Sequence, residues 1–230
     1  MIVKLFVFRH SESWDNRNMV FSGWRDSGLT QKGVYQAQEI AKQLSRFEID
    51  YAFSSHLKRA KQTLEIVLKT HSQTQIIIDD RLIERCYGWL QGKSKQKIVG
   101  EDTNLFERCH KEYSLVPLDG ESLEMVEKRV MSFLTQLKEW ITQHPGNVAI
   151  SCHNNSIRPL RRIFENLTLS QMCQIETQYN QALLYNLELE KSRLQIHKEN
   201  STRIVHWDGV RILNRVKLAT DPENFLKQYY

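Results

Sequence analysis

Along the first 190 residues of this chain, short apolar runs rich in β-branched residues alternate with segments whose apolar side chains recur every three to four positions. That alternation constrains the fold more than any other feature, because strand and helix periods bury different faces of the chain. Ile2–Phe8, Tyr51–Ser54, Ile76–Asp79, Asn147–Cys152 and Leu183–Leu189 read as five strands. Between them, Thr30 is an N-cap candidate ahead of Val34, Ala37, Ile40, Ala41 and Leu44, and Leu57, Ala60, Leu64, Val67 and Leu68 repeat the helical step. The spacing from Leu123 to Ile141 predicts a long helix over Glu121–Gln143, stopped by Pro145-Gly146, and Ser156–Phe164 predicts another. Residues 82–117 predict only short helices and loops. This order predicts an α/β fold of three layers, a mostly parallel sheet with helices on both faces, in one domain over 1–190. Residues 191–230 follow as a basic C-terminal extension that can belong to the same domain.

Charge is concentrated in that extension. Between Lys191 and Lys217 seven Lys or Arg face two acidic residues, which accounts for the whole formal charge of +5. With no nucleic-acid motif beside it, this segment reads as a solvated basic surface, and nucleic acid is not the expected partner. The apolar runs fall far short of the roughly 20 residues that span a bilayer, and Lys4 interrupts the N-terminal one. No membrane partner is expected. Cys86, Cys109, Cys152 and Cys173 form no close pair of metal-ligand spacing and read as free thiols, so a cytoplasmic location is expected. Association into a homo-oligomer is left open.

The chemistry is expected beyond the carboxyl ends of the strands, where such sheets bind ligands. Two predicted strands run straight into histidines, His10 and His153, and Arg9 arrives with the first. A guanidinium offers forked donors to phosphate oxygens, and a neutral imidazole is either a nucleophile or a donor, so this edge suits a phosphorylated ligand.

Arg9-His10-Ser-Glu-Ser-Trp-Asp-Asn16 resembles the RHGES…N signature of the histidine phosphatase superfamily, which contains the cofactor-dependent phosphoglycerate mutases. Five further motifs follow in order. They are Phe21-Ser-Gly-Trp-Arg-Asp26 with Leu29-Thr…Gly33, Ser55-His-Leu-Lys-Arg-Ala60…Thr63, and Leu82-Ile-Glu-Arg-Cys-Tyr87-Gly-Trp-Leu-Gln-Gly92…Lys95. Gly120-Glu-Ser-Leu123…Arg129 and His153-Asn-Asn-Ser-Ile-Arg158 complete the set. The resemblance covers about residues 2–190. It implies that His10 is the phosphoryl-accepting nucleophile, that Arg9, Arg59 and His153 surround the phosphate without a metal, and that Glu84 is the acid and base at the leaving oxygen. It also implies that Asn16, Ser22, Gly23, Tyr87, Lys95, Asn154 and Asn155 contact a small phosphorylated substrate. For a mutase it implies 2,3-bisphosphoglycerate as the phosphoryl primer. Trp24, Trp89 and Trp140 read as packing residues.

The chain departs from the mutase pattern in places. Ser11 and Asn154 stand where the signature has glycine, and Ser adopts a left-handed backbone less readily than Asn, so an altered loop is expected at Ser11. His110-Lys111 stands in place of an Arg-Arg pair that holds the substrate's acidic groups, which loses the forked donors. Tyr179-Asn-Gln-Ala-Leu resembles the phosphatase branch more. The resemblance therefore implies, first, interconversion of 2- and 3-phosphoglycerate. A metal-independent phosphomonoesterase using the same histidine is the second reading, and a non-catalytic phospho-ligand binder the third. The apolar end, with Phe225, Leu226, Tyr229 and Tyr230, is expected either to close over the site or to pack elsewhere.

Overall fold

The computed structural model describes residues 2–188 and, as backbone strands, 205–207, 210–212 and 216–217. The apolar C-terminal end, expected either to close over the site or to pack elsewhere, lies outside the described residues.

Strand β1 (Ile2–Arg9) sits in the middle of the sheet. It pairs in parallel with β4 (Val148–Cys152), which pairs in parallel with β2 (Tyr51–Ser54), which pairs in parallel with β3 (Gln75–Ile78). On its other side β1 meets β5 (Ala182–Glu188) antiparallel. The βα alternation does not predict that reversal. Beyond β5, strands β7 (Val210–Ile212) and β8 (Val216–Lys217) both pair with it, and β6 (Val205–Trp207) pairs with β7. Part of the basic extension thus continues the same sheet.

β1 is buried on both faces because its side chains alternate between two cores. Val3, Leu5 and Val7 pack with the apolar stripes of α6 (Leu123–Gln143) and α7 (Asn154–Phe164). Phe6 and Phe8 point the other way, to α2 (Gln31–Leu44) and α3 (Lys58–Val67) through Ile40, Leu44, Leu64 and Val67. Each such side chain contributes about 1.5–3 kcal/mol by leaving water, which sets the register of the central strands. The helix starts are capped by side chains: Thr30 accepts from the Gly33 amide at 2.9 Å and Ser122 from the Met125 amide at 3.1 Å. Helix α1 (Trp14–Arg17) was not expected from the sequence pattern and is held by a Ser13 capping box. In the weakly patterned region, α4 (Lys95–Glu101) and α5 (Thr103–Lys111) cover a small separate cluster around Phe21, Tyr87, Leu90, Ile98 and Cys109. Helix α8 (Leu169–Gln174) follows α7.

Of Trp24, Trp89 and Trp140, only Trp140 packs as expected, edge-on to Tyr51 at 4.3 Å. Trp24 and Trp89 are 47% and 40% exposed, and Trp24 instead spends its ring N–H on the backbone of Glu84.

Candidate active site

The parallel register brings the two histidines together. Arg9 is the partner of Cys152 at the end of the β1–β4 ladder, so the next residue on each strand is a histidine. Strands lie about 4.8 Å apart, and the His10 and His153 ring centroids are 5.0 Å apart. One ring nitrogen of each and a carboxylate oxygen of Glu84 fall within 4.8 Å of one another, all three residues buried. Two imidazoles and a carboxylate could by type hold a divalent cation. Their surroundings favour an anion: the cleft around them is lined by four cations, Arg9, Arg59, Lys95 and Arg158, against two carboxylates, Glu84 and Glu176.

His10 Nδ1 lies 2.8 Å from the Ser11 carbonyl, and Arg59 Nε donates to His10 Nε2 at 3.2 Å. The proton is therefore on Nδ1 and the lone pair on Nε2. Burial first, then the positive charges of Arg59 and Arg9, hold His10 well below 6.5, so the ring is neutral at pH 7. Arg59 is fully buried and spends further donors on the Arg25 and Gly23 carbonyls at 2.8 and 2.7 Å. Gly23 needs its φ of +49°, and a Cβ there would overlap Gln91 Oε1. Three buried polar atoms around this space have no protein partner: Arg9 Nε, Ser22 Oγ and His153 Nδ1. All three can donate, and buried donors are rarely left unpaired in a folded protein, which marks a place for an anion. Asn16 commits its carbonyl oxygen to Ser13, leaving its NH₂ group for the cleft. Helix α7 begins at Asn154, directly after His153, with its positive end toward the same region.

Glu84 is held from several sides. Its carbonyl accepts from Trp24 Nε1 at 2.7 Å and Arg129 Nη2 at 3.1 Å, and its Oε1 accepts from the Arg85 amide at 2.8 Å. The Gly120-Glu-Ser-Leu…Arg129 motif thus positions the Glu84 loop, with Glu121 accepting from the Cys86 amide and from Arg129. The far wall is a chain of hydrogen bonds: Asn155 donates to Tyr87 Oη at 3.1 Å and accepts from Arg158 Nη1 at 2.8 Å. Asn154 turns its side-chain oxygen to the Thr177 amide.

Most of the expected site residues line one cleft: Arg9, His10, Asn16, Ser22, Gly23, Arg59, Glu84, Tyr87, Lys95, His110, Asn154 and Asn155. In the run Lys93–Lys97, only Lys95 does so, while Lys93 lies over the Trp89 ring and Lys97 pairs with Glu101. Lys111 is a correction. One residue is a 100° turn of helix α5, so with His110 facing the cleft Lys111 points away and pairs with Glu107 at 3.6 Å. His110 sits among the Phe21, Phe106 and Tyr87 rings, and burial with Lys95 and Arg158 nearby lowers it to about 3. It is a neutral group at pH 7. Neither Ser11 nor Asn154 has a positive φ, so neither is held in the left-handed region where a side chain would be strained. Ser11 instead donates from Oγ to the Tyr179 carbonyl, and Tyr179 stacks under Arg9 at 4.2 Å.

Two lining residues were not assigned from sequence. Arg158 lies one helical turn after Asn154 and Asn155, a spacing that could have revealed it. Glu176 sits in a loop and bridges Arg9 and Arg158 at 3.4 and 2.9 Å, with no local signal.

Three depressed histidines at the site, His10, His153 and His110, link stability to pH. Below 6.5 each takes up a proton in the unfolded chain but not in the folded one, so stability present above 6.5 is lost as pH falls, down to about 3 for His110. The loss should approach about 1.4 kcal/mol per pH unit for each histidine. Urea midpoints at pH 7.5, 6.5, 5.8 and 5.0, above most carboxylate titration, check this; a flat series contradicts it.

The family model described as histidine phosphatase superfamily (branch 1) matches residues 5–202. A 2,3-bisphosphoglycerate-dependent phosphoglycerate mutase of Cytophaga hutchinsonii is 34% identical over 184 residues, 79% of this chain and 86% of that protein. The alpha-ribazole phosphatase of Shigella flexneri has a TM-score of 0.69 at 24% identity, covering 82% of this chain and 92% of its own. A mycobacterial glucosyl-3-phosphoglycerate phosphatase reaches 0.70 at 21% identity, over 81% and 90%. These two solved structures share the fold, while the family match takes in both histidines at the strand ends: the chain belongs to the histidine phosphatase superfamily and is an enzyme, a mutase or a related phosphatase.

Proposed function

We propose that the protein transfers phosphoryl groups through a phosphohistidine on His10, and that its reaction is the interconversion of 2- and 3-phosphoglycerate. The observation that carries the phosphoryl reading is the set of unpartnered donors, Arg9 Nε, Ser22 Oγ and His153 Nδ1, around a neutral imidazole with its lone pair on Nε2. In-line attack on phosphorus needs mainly positioning and neutralised oxygens. Arg9, Arg59, His153, Asn16, Ser22 and the Gly23 backbone supply these, and Glu84 protonates the leaving oxygen and later deprotonates the accepting hydroxyl.

The mutase assignment adds a second cationic group. Lys95 and Arg158, with Tyr87, Asn155 and Asn154, line the same cleft and suit a carboxylate or second phosphate. These groups fit 2,3-bisphosphoglycerate, which when bound would supply the phosphoryl group that primes His10. The 34% identical mutase supports this reading. The four buried free thiols suit a cytoplasmic enzyme.

One observation favours hydrolysis as a second reading. Neutral His110 and outward Lys111 take two charges from the substrate-clamping wall, which weakens the hold on a bis-anionic acceptor and leaves room for water. Incubation with 3-phosphoglycerate, with and without 2,3-bisphosphoglycerate and EDTA, separates the readings. We expect 2-phosphoglycerate, stimulated by the bisphosphate and undiminished by the chelator. Free phosphate alone would establish the hydrolase, and a requirement for Mg²⁺ would overturn the mechanism.

A further inference from the structure

Of the three unpartnered donors, His153 is the one whose ability to donate depends on a neighbour. Strand β2 runs beside β4 with Ser54 opposite Ser151, so the chain leaving β2 brings Ser55 to the end of β4. Ser55 Oγ lies 2.8 Å from His153 Nε2, and both residues are fully buried. Burial and then the charge of Arg59 hold His153 well below 6.5, so its ring carries one proton at pH 7.

That proton has two places to sit, and the surroundings distinguish them. On Nε2 it would point at Ser55 Oγ, and the Ser55 hydroxyl hydrogen would then lack an acceptor, since His153 is its one hydrogen-bond partner among the described residues. The same choice would leave Nδ1 as a buried lone pair without a partner, on a ring that clusters with His10 and Glu84. With the proton on Nδ1, the Ser55 hydroxyl donates to Nε2 and Nδ1–H remains free for an anionic oxygen. The first arrangement strands a buried donor and opposes a lone pair to negative charge; the second does neither.

We propose that Ser55 is a positioning residue whose hydroxyl, by donating to Nε2, holds His153 in the Nδ1–H tautomer and so makes it a hydrogen-bond donor to the phosphoryl oxygens. The identity of those oxygens rests on the phosphoryl-transfer reading above, whereas the tautomer does not. Ser55 touches no substrate in this scheme. Its effect passes through the ring.

The test uses the full chain labelled with ¹⁵N-histidine and two-bond ¹H–¹⁵N spectra, with the His153 signals identified by their loss in His153→Gln. The wild type should show a single Nδ1–H tautomer, and an Nε2–H tautomer there overturns the proposal. In Ser55→Ala the His153 signals should move toward a mixture of tautomers, and inorganic phosphate should bind about tenfold more weakly, one charge-assisted hydrogen bond. A variant that keeps both the tautomer and the phosphate affinity also overturns it. If Ser55→Ala does not fold, the wild-type spectrum decides alone. Should the protein neither isomerise nor hydrolyse phosphoglycerates while the wild type shows Nδ1–H, the functional reading fails and the role of Ser55 stands.

Discussion

Replacing His10 by alanine is expected to abolish covalent phosphoenzyme and to lower turnover on the order of 10⁴-fold or more, the scale of losing a nucleophile. The expectation rests on position. His10 is at the end of the central strand, with Nδ1 tied to the Ser11 carbonyl and the lone pair of Nε2 directed at Arg59 Nε. His153 cannot substitute, because its Nε2 is engaged by Ser55 and its Nδ1 is the proposed donor. In the resting cleft Arg59 covers the His10 lone pair, so a phosphoryl oxygen must draw that donor away before attack. The measurement is incorporation of labelled phosphoryl groups from substrate, with the product stable in base and labile in acid as a phosphohistidine is. Labelling that persists in the alanine variant would move the nucleophile elsewhere.

Glu84→Gln should lower the reaction of alkyl phosphates by about 10²-fold or more, and that of aryl phosphates much less. The substitution preserves size and lets Oε1 go on accepting from the Arg85 amide, while it removes the transferable proton. Because the Glu84 backbone is pinned by Trp24 and Arg129, the loop itself should not move. An alkyl alkoxide is a poor leaving group and needs the acid; a phenolate needs it less. Rates on a pair such as 3-phosphoglycerate and 4-nitrophenyl phosphate measure the difference, and equal losses on both would assign the acid to another residue.

The layers and the sheet edge that bears His10 and His153 were legible in the sequence because both come from local patterns. Alternating β-branched runs and helical periods place β1 to β4 and α2, α3, α6 and α7 to within a few residues. The runs that precede His10 and His153 are the strands that pair in the sheet. Strand β5 was legible as Leu183–Leu189, but its antiparallel direction was not. A strand's direction depends on how the preceding connection returns to the sheet, and α7 and α8 carry no residue that announces it. Trp24 and Trp89 misled for a related reason: a large ring reads as core by type, whereas both are exposed and Trp24 donates its N–H to the Glu84 carbonyl.

By itself the sequence determined the α/β architecture and which strand ends carry His10 and His153, together with the arginines and the carboxylate that accompany them. Those properties are encoded by residues close together in the chain and by the order of the motifs. Tertiary structure alone decided how the groups are poised. It turned Lys111 out to Glu107 while His110 entered an aromatic pocket, inserted Glu176 between Arg9 and Arg158, and set Ser55 against His153. The physical reason is separation: Ser55 and His153 are 98 residues apart and Arg9 and Glu176 are 167 apart. Protonation, tautomer and charge pairing at such sites follow from burial and from neighbours supplied by other strands and loops, which no local period records.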